Sequence, residues 1–329
     1  MDYSLALAKD LIRYITADKD TLYVFCPFSI GDFLDVGGLC HALLKKKRKK
    51  SCVLILSDRF ENSGSINFVG VKEIRYMPQA LADFISRYIR ETHEYETDNF
   101  IHAHFPIGQY GFIWNENLSM VDRWKENSLG LPLNTELIPP IIEPPADYQE
   151  QRLHEAYTLD RERTIILAPY ANSNANLVES VWEKLVSELA KKNKDYVFYT
   201  NVAAPHEKVI PGTAPIITDF SELMYTADKV KCFIGLRSGI FDLLAFTNAR
   251  LYIINTFTMW YYDLRLNYNH NNSKEFYIAS APEQLLLQAF MKQNNLSSID
   301  NVIFYGRLLG KDIALNTDSL LERIINEVD

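Results

Sequence analysis

The stretch Thr21–Leu34, TLYVFCPFSIGDFL, predicts a strand, a tight turn and the start of a helix. Its first part, Thr21–Phe28, is a continuous apolar run of the kind that forms a buried strand. Gly31 permits the turn. Apolar residues then recur at helical spacing, at Phe33, Val36, Cys40 and Leu43. A continuous apolar strand followed directly by a helix is typical of a parallel sheet that is covered on both faces.

The same alternation of strand and helix continues along the chain. Further strands are predicted at Ser51–Ser57, Glu73–Tyr76, Asn99–His104, Thr164–Ala168, Tyr196–Thr200, Cys232–Gly235 and Arg250–Ile254. Helices are predicted over Leu81–Ile89, Val178–Leu189 and Ile240–Phe246. Between Leu131 and Ala146 prolines cluster, which predicts a linker because proline ends both helices and strands.

We therefore predict an α/β protein with two doubly wound, Rossmann-like parallel-sheet domains that face a cleft. The predicted domains are residues 1–145 and 146–329, and we expect the last helix to pack back on the N-terminal domain.

The composition is that of an ordinary globular protein with an acidic balance. Of 329 residues, 47% are hydrophobic, and 34 Lys and Arg against 42 Asp and Glu leave a net charge of −8. This charge argues against a nucleic-acid partner, because phosphate contacts require basic residues. No apolar stretch approaches the roughly 20 residues that span a bilayer, and the N-terminus lacks the apolar block of a signal peptide. Four widely spaced cysteines without a CxxC pair favour buried thiols in a reducing cytoplasm.

Asp32 is the first candidate functional residue. Ligands of open parallel sheets bind outside the carboxyl ends of the strands, and Asp32 follows the first predicted strand in the turn Ser29–Leu34. The simpler alternative is that its charge complements the dipole at the start of the helix. Asp35 and His104 are the other candidate proton acceptors. One glycine is far short of GxGxxG, so the turn does not predict dinucleotide binding.

His102 and His104 alternate on a predicted strand and point to the same face. They could be half of a metal site, but no third ligand has suitable spacing near them, so we expect no metal. We treat both as candidate acceptor-binding residues. The simpler alternative is a polar pair whose hydrogen bonds are satisfied within the protein. The DxD pattern at Asp18–Asp20 precedes a strand instead of following one, which indicates a solvated turn.

A second candidate site is Gly235–Gly239, GLRSG, between a predicted strand and a predicted helix. Backbone N–H groups at a helix start, a hydroxyl and a guanidinium are groups that hold a phosphate or diphosphate. Arg237, Ser238 and Gly239 are therefore candidate donor-binding residues. The alternative is a plain turn with Ser238 as the N-cap and Arg237 in a surface ion pair.

Two further polar segments precede predicted helices. The loop Pro169–Asn174 contains Asn172 and Ser173, whose small polar side chains suit close approach of a ligand, and Asp219–Leu223 contains Glu222, which could contact a ribose. Helix capping explains either segment equally well.

An uninterrupted basic run lies between the first helix and the second strand, at Lys45, Lys46, Lys47, Arg48, Lys49 and Lys50. Cations are favoured at a helix C-terminus, which is one explanation. The other is peripheral contact with an anionic membrane on its inner, cytoplasmic face.

Taken together, these motifs resemble the heptosyltransferase-like glycosyltransferases of the GT-B fold, which build bacterial surface polysaccharides such as lipopolysaccharide and capsule. The turn Ser29–Leu34 resembles the family's S-x-G-D-x-L strand–turn–helix, whose aspartate is the catalytic base, and by resemblance this role falls on Asp32. Other segments follow the family's order: Val121–Leu131, Ile166–Asn174, Trp182–Leu185, Asp219–Leu223 and Ala227–Gly239.

Two departures concern the donor diphosphate. Arg237-Ser238-Gly239 stands where the family usually has an aspartate–small–glycine turn, and Asn172–Glu179 contains no lysine, which the family often has there. We therefore do not infer from the resemblance that the donor is ADP-heptose. We expect Arg237 to supply the positive charge that the family's lysine would provide.

The resemblance implies an inverting, metal-independent glycosyltransferase without a cofactor. It would transfer a sugar from a nucleotide-diphosphate donor, held by the second domain, to a glycan or glycolipid acceptor, held by the first. Two alternatives stay open: a nucleotide-sugar 2-epimerase using His102 and His104 as acid–base groups, and a non-catalytic sugar-nucleotide-binding partner in a polysaccharide assembly complex.

Overall fold

Each half of the chain is built around its own parallel sheet. A computed structural model describes residues 3–61, 66–103, 124–171, 176–203, 207–236, 238–254 and 302–305, together with 321–322, 324–326 and 328. The chain divides into two compact units, Met1–Glu143 and Pro144–Asp329. This division falls within the proline-rich segment Leu131–Ala146.

In the first unit, the helices are α1 (Tyr3–Ile15), α2 (Ile30–Lys47) and α3 (Gln79–Thr92). The strands are β1 (Thr21–Phe25), β2 (Ser51–Ser57), β3 (Ile66–Asn67), β4 (Val71–Met77), β5 (Phe100–His102) and β6 (Ile141–Ile142). A 3₁₀ turn covers Asp58–Phe60 and a π-helical turn covers Trp124–Ser128.

Four of these strands form a sheet in the order β4-β2-β1-β5, and every pair is parallel. Phe25, the last residue of β1, pairs with Ile55 of β2 on one side and with His102 of β5 on the other. Along the chain, β2 and β4 follow on one side of β1, and β5 then follows on the other side. The direction in which strands are placed in the sheet therefore reverses between β1 and β5. Ligands of open α/β sheets bind at such a reversal, outside the carboxyl ends of the strands.

Helices α1 and α3 pack against each other and cover one face of this sheet. The apolar cluster there combines Phe25 and Ile55 from the strands with Ile85 and Ile89 from α3. Helix α2 packs against β1 and β2 as well. Because side chains alternate along a strand, both faces of β1 are buried, which is why this strand is apolar throughout.

The proline-rich segment Leu131–Ala146, which was predicted to be a linker, packs against other parts of the first unit. Its residues Ile141–Ile142 pair antiparallel with β3, and Leu137 is buried. The Ile138 N–H donates to the Gly38 carbonyl of α2 at 3.2 Å. A Cβ on Gly38 would lie 2.6 Å from the carbonyl oxygen of Ile138, so only glycine allows this approach. The segment is therefore anchored on α2, which its prolines alone did not indicate.

In the second unit, the helices are α4 (Asp147–Ala156), α5 (Glu179–Lys192), α6 (Phe220–Ala227) and α7 (Gly239–Leu244). The strands are β7 (Thr164–Ala168), β8 (Val197–Asn201), β9 (Ala214–Ile216), β10 (Cys232–Leu236), β11 (Leu251–Ile254) and β12 (Val302–Tyr305).

These six strands form a parallel sheet in the order β12-β11-β10-β7-β8-β9. The order of the chain reverses between β7 and β10, where Ala168 pairs with Gly235. A Cβ on Gly235 would overlap the Ala168 carbonyl oxygen and lie 2.8 Å from the Ala168 Cβ. Glycine therefore allows the two strands to meet at their carboxyl ends. The prediction of two doubly wound parallel sheets is confirmed.

The core of the second unit packs α5 on this sheet, with Trp182, Leu185 and Leu189 buried. The C-terminal residues Leu321, Ile324 and Val328 belong to the same apolar cluster. These residues therefore pack in the core of the second unit, and contact of the last helix with the first domain stays a prediction.

All four cysteines are buried free thiols, as predicted. Burial raises the pKa of Cys232 to about 12. Within the described ranges, no helix combines the length and the apolar character needed to span a bilayer.

Candidate functional site

Asp32 lies at the carboxyl edge of the first sheet, in the first turn of α2. Ser29 is the N-cap of this helix, and its Oγ accepts a hydrogen bond from the Asp32 N–H at 3.3 Å. The Asp32 Oδ2 in turn accepts hydrogen bonds from the Ser29 N–H at 3.1 Å and from the Ser29 Oγ at 2.7 Å. This reciprocal capping fixes both where α2 begins and how the carboxylate is oriented.

These contacts give Asp32 a structural role at the start of α2, in line with the alternative that its charge complements the helix dipole. Its side chain is nevertheless only half-buried, at the edge of the sheet where ligands bind. Asp35, one turn further along α2, is only 8% exposed. A substrate would therefore reach Asp32 more readily than Asp35.

Arg59 adds a positive charge to this edge, and the sequence patterns above did not single it out. It follows β2 in the 3₁₀ turn, and β2 is the parallel neighbour of β1. The guanidinium donates to the Pro27 carbonyl at 3.4 Å and lies 4.6 Å from the centroid of the Phe60 ring. Partial burial lowers the pKa of Arg59, while the negative charges of Asp32 and Asp83 act in the opposite direction. The available signal was an arginine two residues beyond a predicted buried strand.

His102 ends β5 and is buried, with 2% of its surface exposed. Its ring lies 5.4 Å from the ring of Phe25, 5.6 Å from Phe28 and 6.0 Å from Tyr95, between centroids. Its Nε2 is 3.3 Å from the Ser86 Oγ. These contacts favour a core position for His102 over an acceptor-binding role. His104 lies outside the described residues.

The carboxyl edge of the second sheet carries two of the predicted loops. The chain leaves the sheet at Ala168 and at Leu236, on the adjacent strands β7 and β10, so both loops start at the chain reversal. Ser238 is the N-cap residue of α7 in an extended conformation, and its side chain makes no capping hydrogen bond. Gly239 is the first residue of α7. Three other predicted donor contacts, Asn172, Ser173 and Arg237, lie outside the described residues.

Glu222 is buried, 4% exposed, in the first turn of α6. Its Oε1 accepts hydrogen bonds from Arg152 at 2.5 Å and from Gln149 at 3.3 Å, both on α4. Its Oε2 accepts a hydrogen bond from the Asp219 N–H at 3.1 Å, completing a capping box with Asp219 as the N-cap. Both carboxylate oxygens are thus engaged within the protein. This geometry favours the capping alternative over the predicted ribose contact.

We expect Glu222→Gln to lower the free energy of unfolding by about 1–3 kcal/mol, because its amide would place a donor against other donors and leave Arg152 without its carboxylate. Urea denaturation measures the change. Glu155→Gln, an exposed glutamate that accepts from Gln151 at 2.7 Å, is the matched control and should have little effect. If Glu222→Gln kept its stability but lost nucleotide binding, Glu222 would instead be assigned to a ligand contact.

The basic run at the end of α2 is largely paired inside the first unit. The Lys46 ammonium donates to the Leu129 carbonyl at 2.8 Å. Three other lysines form ion pairs: Lys47 with Glu96 at 2.6 Å, Lys49 with Asp98 at 2.6 Å, and Lys50 with Asp20 at 2.7 Å. These contacts favour a local role at the C-terminus of the helix. Contact with a membrane stays a prediction.

Comparison with known proteins identifies the fold. No protein-family model matches the chain, and no curated protein matches it in sequence. Among solved structures, E. coli heptosyltransferase WaaC with ADP superimposes with a TM-score of 0.50 and 11% identity, covering 94% of this chain and 100% of that one. E. coli ADP-heptose lps heptosyltransferase II gives a TM-score of 0.50 and 11% identity, covering 92% of this chain and 99% of that one. The chain has the GT-B fold of these heptosyltransferases.

The GT-B fold agrees with the two parallel sheets, one in each unit. It also agrees with the resemblance carried by Ser29–Leu34 and Ala227–Gly239. At 11% identity the likeness concerns the fold and does not assign a substrate.

Proposed function

We propose that this chain is a glycosyltransferase that moves a sugar from a nucleotide-diphosphate donor to a glycan or glycolipid acceptor, with inversion and without a metal ion. The observation that carries the proposal is the position of Asp32, an oriented and accessible carboxylate at the chain reversal of the first sheet in a GT-B fold. E. coli heptosyltransferase WaaC was solved with ADP and with ADP-2-deoxy-2-fluoro heptose, which supports a nucleotide-sugar donor here.

In the proposed reaction, Asp32 is the general base. It removes the proton of the acceptor hydroxyl as the hydroxyl oxygen attacks the anomeric carbon of the donor, and the bond to the diphosphate breaks in the same step. A direct displacement inverts the anomeric centre because the nucleophile enters opposite the leaving group. The two hydrogen bonds from Ser29 hold the carboxylate in one orientation, which favours proton transfer to a positioned group.

The departing diphosphate gains negative charge, and the proposal assigns its stabilisation to Arg237 with help from Ser238 and the backbone at Gly239. Asn172 and Ser173 follow β7, the neighbour of β10, and are proposed as further donor contacts. Glu222 is omitted from this set because its oxygens accept hydrogen bonds from Arg152, Gln149 and the Asp219 backbone.

The epimerase alternative needed acid–base groups from His102 and His104. The burial of His102 among aromatic rings weakens it, since the ring does not reach solvent. Product analysis tests both alternatives. Incubation with a nucleotide sugar and no acceptor should leave the sugar unchanged, whereas an epimerase converts it; binding without turnover in the presence of acceptors would indicate a non-catalytic partner.

We expect a chelator to leave sugar transfer unchanged. Among the residues that the structure describes, no group of three or more His, Cys, Asp and Glu side chains could hold a metal. In the DxD pattern, the Asp18 carboxylate accepts hydrogen bonds from Thr21 Oγ1 at 2.7 Å and from the Asp20 N–H at 2.9 Å, so it is part of a turn at the amino end of β1. Transfer is measured with and without EDTA. Loss of activity that a divalent ion restores would contradict metal independence.

A further inference from the structure

The first sheet has an open edge at the strand β4 (Val71–Met77). In the order β4-β2-β1-β5 this strand is an outer one, and within the described residues its only strand partner is β2. The N–H and C=O groups of β4 that point away from β2 are therefore able to pair with another strand. The pairing with β2 is regular from Glu73 onward, because its one register shift lies at Lys72, close to the amino end.

The other edge of this sheet is covered by the chain itself. The outer strand there, β5, has only three residues, Phe100–His102. The His102 N–H donates to the Tyr95 carbonyl and the Thr97 N–H donates to the Phe100 carbonyl, each at 2.8 Å. Among the described strands of this sheet, β4 is thus the one whose outer edge is open.

The exposed side chains of β4 carry opposite charges two positions apart. Arg75 donates from Nε to the Glu73 Oε1 at 3.0 Å and from Nη2 to the Glu73 Oε2 at 3.1 Å, and the two side chains are 39% and 47% exposed. The Arg75 guanidinium also lies 6.0 Å from the centroid of the Tyr23 ring, which helps to hold it over the sheet. Ile74, between these two charged residues, is half-buried and points to the other face. Charges on an edge strand usually oppose pairing, but this pattern is complementary to a copy of itself.

We propose that β4 pairs antiparallel with β4 of a second copy of this chain, about a two-fold axis at Ile74. In an antiparallel pair with such an axis, the residue at the axis lies opposite its own copy, and residues equally far on either side lie opposite each other. Glu73 of each copy then lies opposite Arg75 of the other, and the two Ile74 side chains meet. Opposite-charge pairs and pairs of β-branched side chains both stabilise a sheet.

Charge selects this register. With Glu73 or Arg75 at the axis, that residue would meet its own copy, and like charges directly opposite are destabilising. With Tyr76 at the axis, Ile74 would lie opposite Pro78, which follows the strand and has no N–H to donate. Ile74 is also the middle residue of β4, so this register gives the longest overlap. Each copy uses its open edge in the contact, and the assembly closes at two copies.

Ile74→Cys tests the register directly. Opposed residues of an antiparallel pair have Cα atoms about 4.5–5.5 Å apart, a separation that a disulfide spans. The native cysteines are all buried. With a mild oxidant, Ile74→Cys should therefore form a covalent dimer on a non-reducing gel. Lys72→Cys is the matched control and should stay a monomer, because the two copies of residue 72 would lie roughly 13 Å apart along the strands. Equal cross-linking of both variants, or none of Ile74→Cys, would overturn the proposal.

Charge reversal gives a second measurement, by analytical ultracentrifugation. Wild type should dimerise with a dissociation constant in the micromolar range, since one strand from each copy is a small interface. Glu73→Arg turns two opposite-charge pairs into two like-charge pairs and should raise this constant about 10-fold or more. The double variant Glu73→Arg/Arg75→Glu restores the complementarity and should recover dimerisation.

Arg87→Glu is the control for charge reversal, because it disrupts an exposed ion pair with Glu91 on α3 and should leave the dissociation constant unchanged. A wild-type protein that stays monomeric up to roughly 100 µM would contradict the proposal. So would a dimer that Glu73→Arg does not weaken, or one that the double variant does not restore.

Discussion

Replacing Asp32 by asparagine should reduce sugar transfer by about 10²–10⁴-fold, the usual contribution of a general base. Donor affinity should stay within a few fold of wild type. The asparagine side-chain oxygen can still accept hydrogen bonds from the Ser29 N–H and Oγ, so the helix cap survives. The loss would then reflect the missing base and not a damaged turn. Release of nucleoside diphosphate in the presence of acceptor measures the rate.

Ser29→Ala is the matched control for this variant. It removes one of the two hydrogen bonds that orient the Asp32 carboxylate but leaves the carboxylate itself, so it should lower stability by about 0.5–2 kcal/mol and reduce transfer far less than Asp32→Asn does. The opposite pattern, near-normal transfer by a folded Asp32→Asn protein, would assign the base to Asp35 or His104 instead.

The second large effect is expected at Arg237. Arg237→Ala should weaken binding of a nucleoside diphosphate by roughly 10- to 150-fold, because a charge-assisted hydrogen bond contributes about 1.5–3 kcal/mol. Binding of the parent nucleoside should change little, since it has no diphosphate oxygens to bond. Arg237→Lys should recover part of the loss. Calorimetric titration of both ligands gives the two dissociation constants for each variant.

Arg163→Ala serves as the control in the same unit, because Arg163 is an accessible residue paired with Asp160 at 2.9 Å. It should leave both dissociation constants unchanged. If Arg237→Ala weakens binding of the nucleoside and of the nucleoside diphosphate equally and also lowers Tm, then Arg237 supports the loop structurally and does not contact the diphosphate.

Local pattern was sufficient to predict most of the fold. The helical stripe over Leu81–Ile89 lies within α3, and the apolar run Ser51–Ser57 is β2 with the same bounds. Periodicity succeeds here because a buried face imposes it over many residues. The first strand was predicted three residues too long, to Phe28 instead of Phe25, because the apolar run continues beyond the last strand pairing.

The site was harder to predict, since its contacts join residues far apart in sequence. Glu222 and Arg152 are separated by 70 positions, and Lys49 and Asp98 by 49. Local pattern does not reveal these partners, which favour a capping role for Glu222 and a local role for the basic run. Arg59 was missed for a related reason. Its significance depends on the pairing of β1 with β2, which brings it to the same edge as Asp32.

The proposed function requires that this chain bind a nucleotide-diphosphate sugar. A thermal-shift panel of nucleoside diphosphates (ADP, GDP, UDP, CDP and TDP) with the matching nucleosides tests it without knowledge of the acceptor. A ligand at 100 times its dissociation constant stabilises the folded state by about 2.7 kcal/mol. For a domain of this size that corresponds to a rise in Tm of roughly 5–10 °C. We expect at least one diphosphate to produce such a rise and its nucleoside to produce much less; no shift with any of the five at millimolar concentration would contradict the claim.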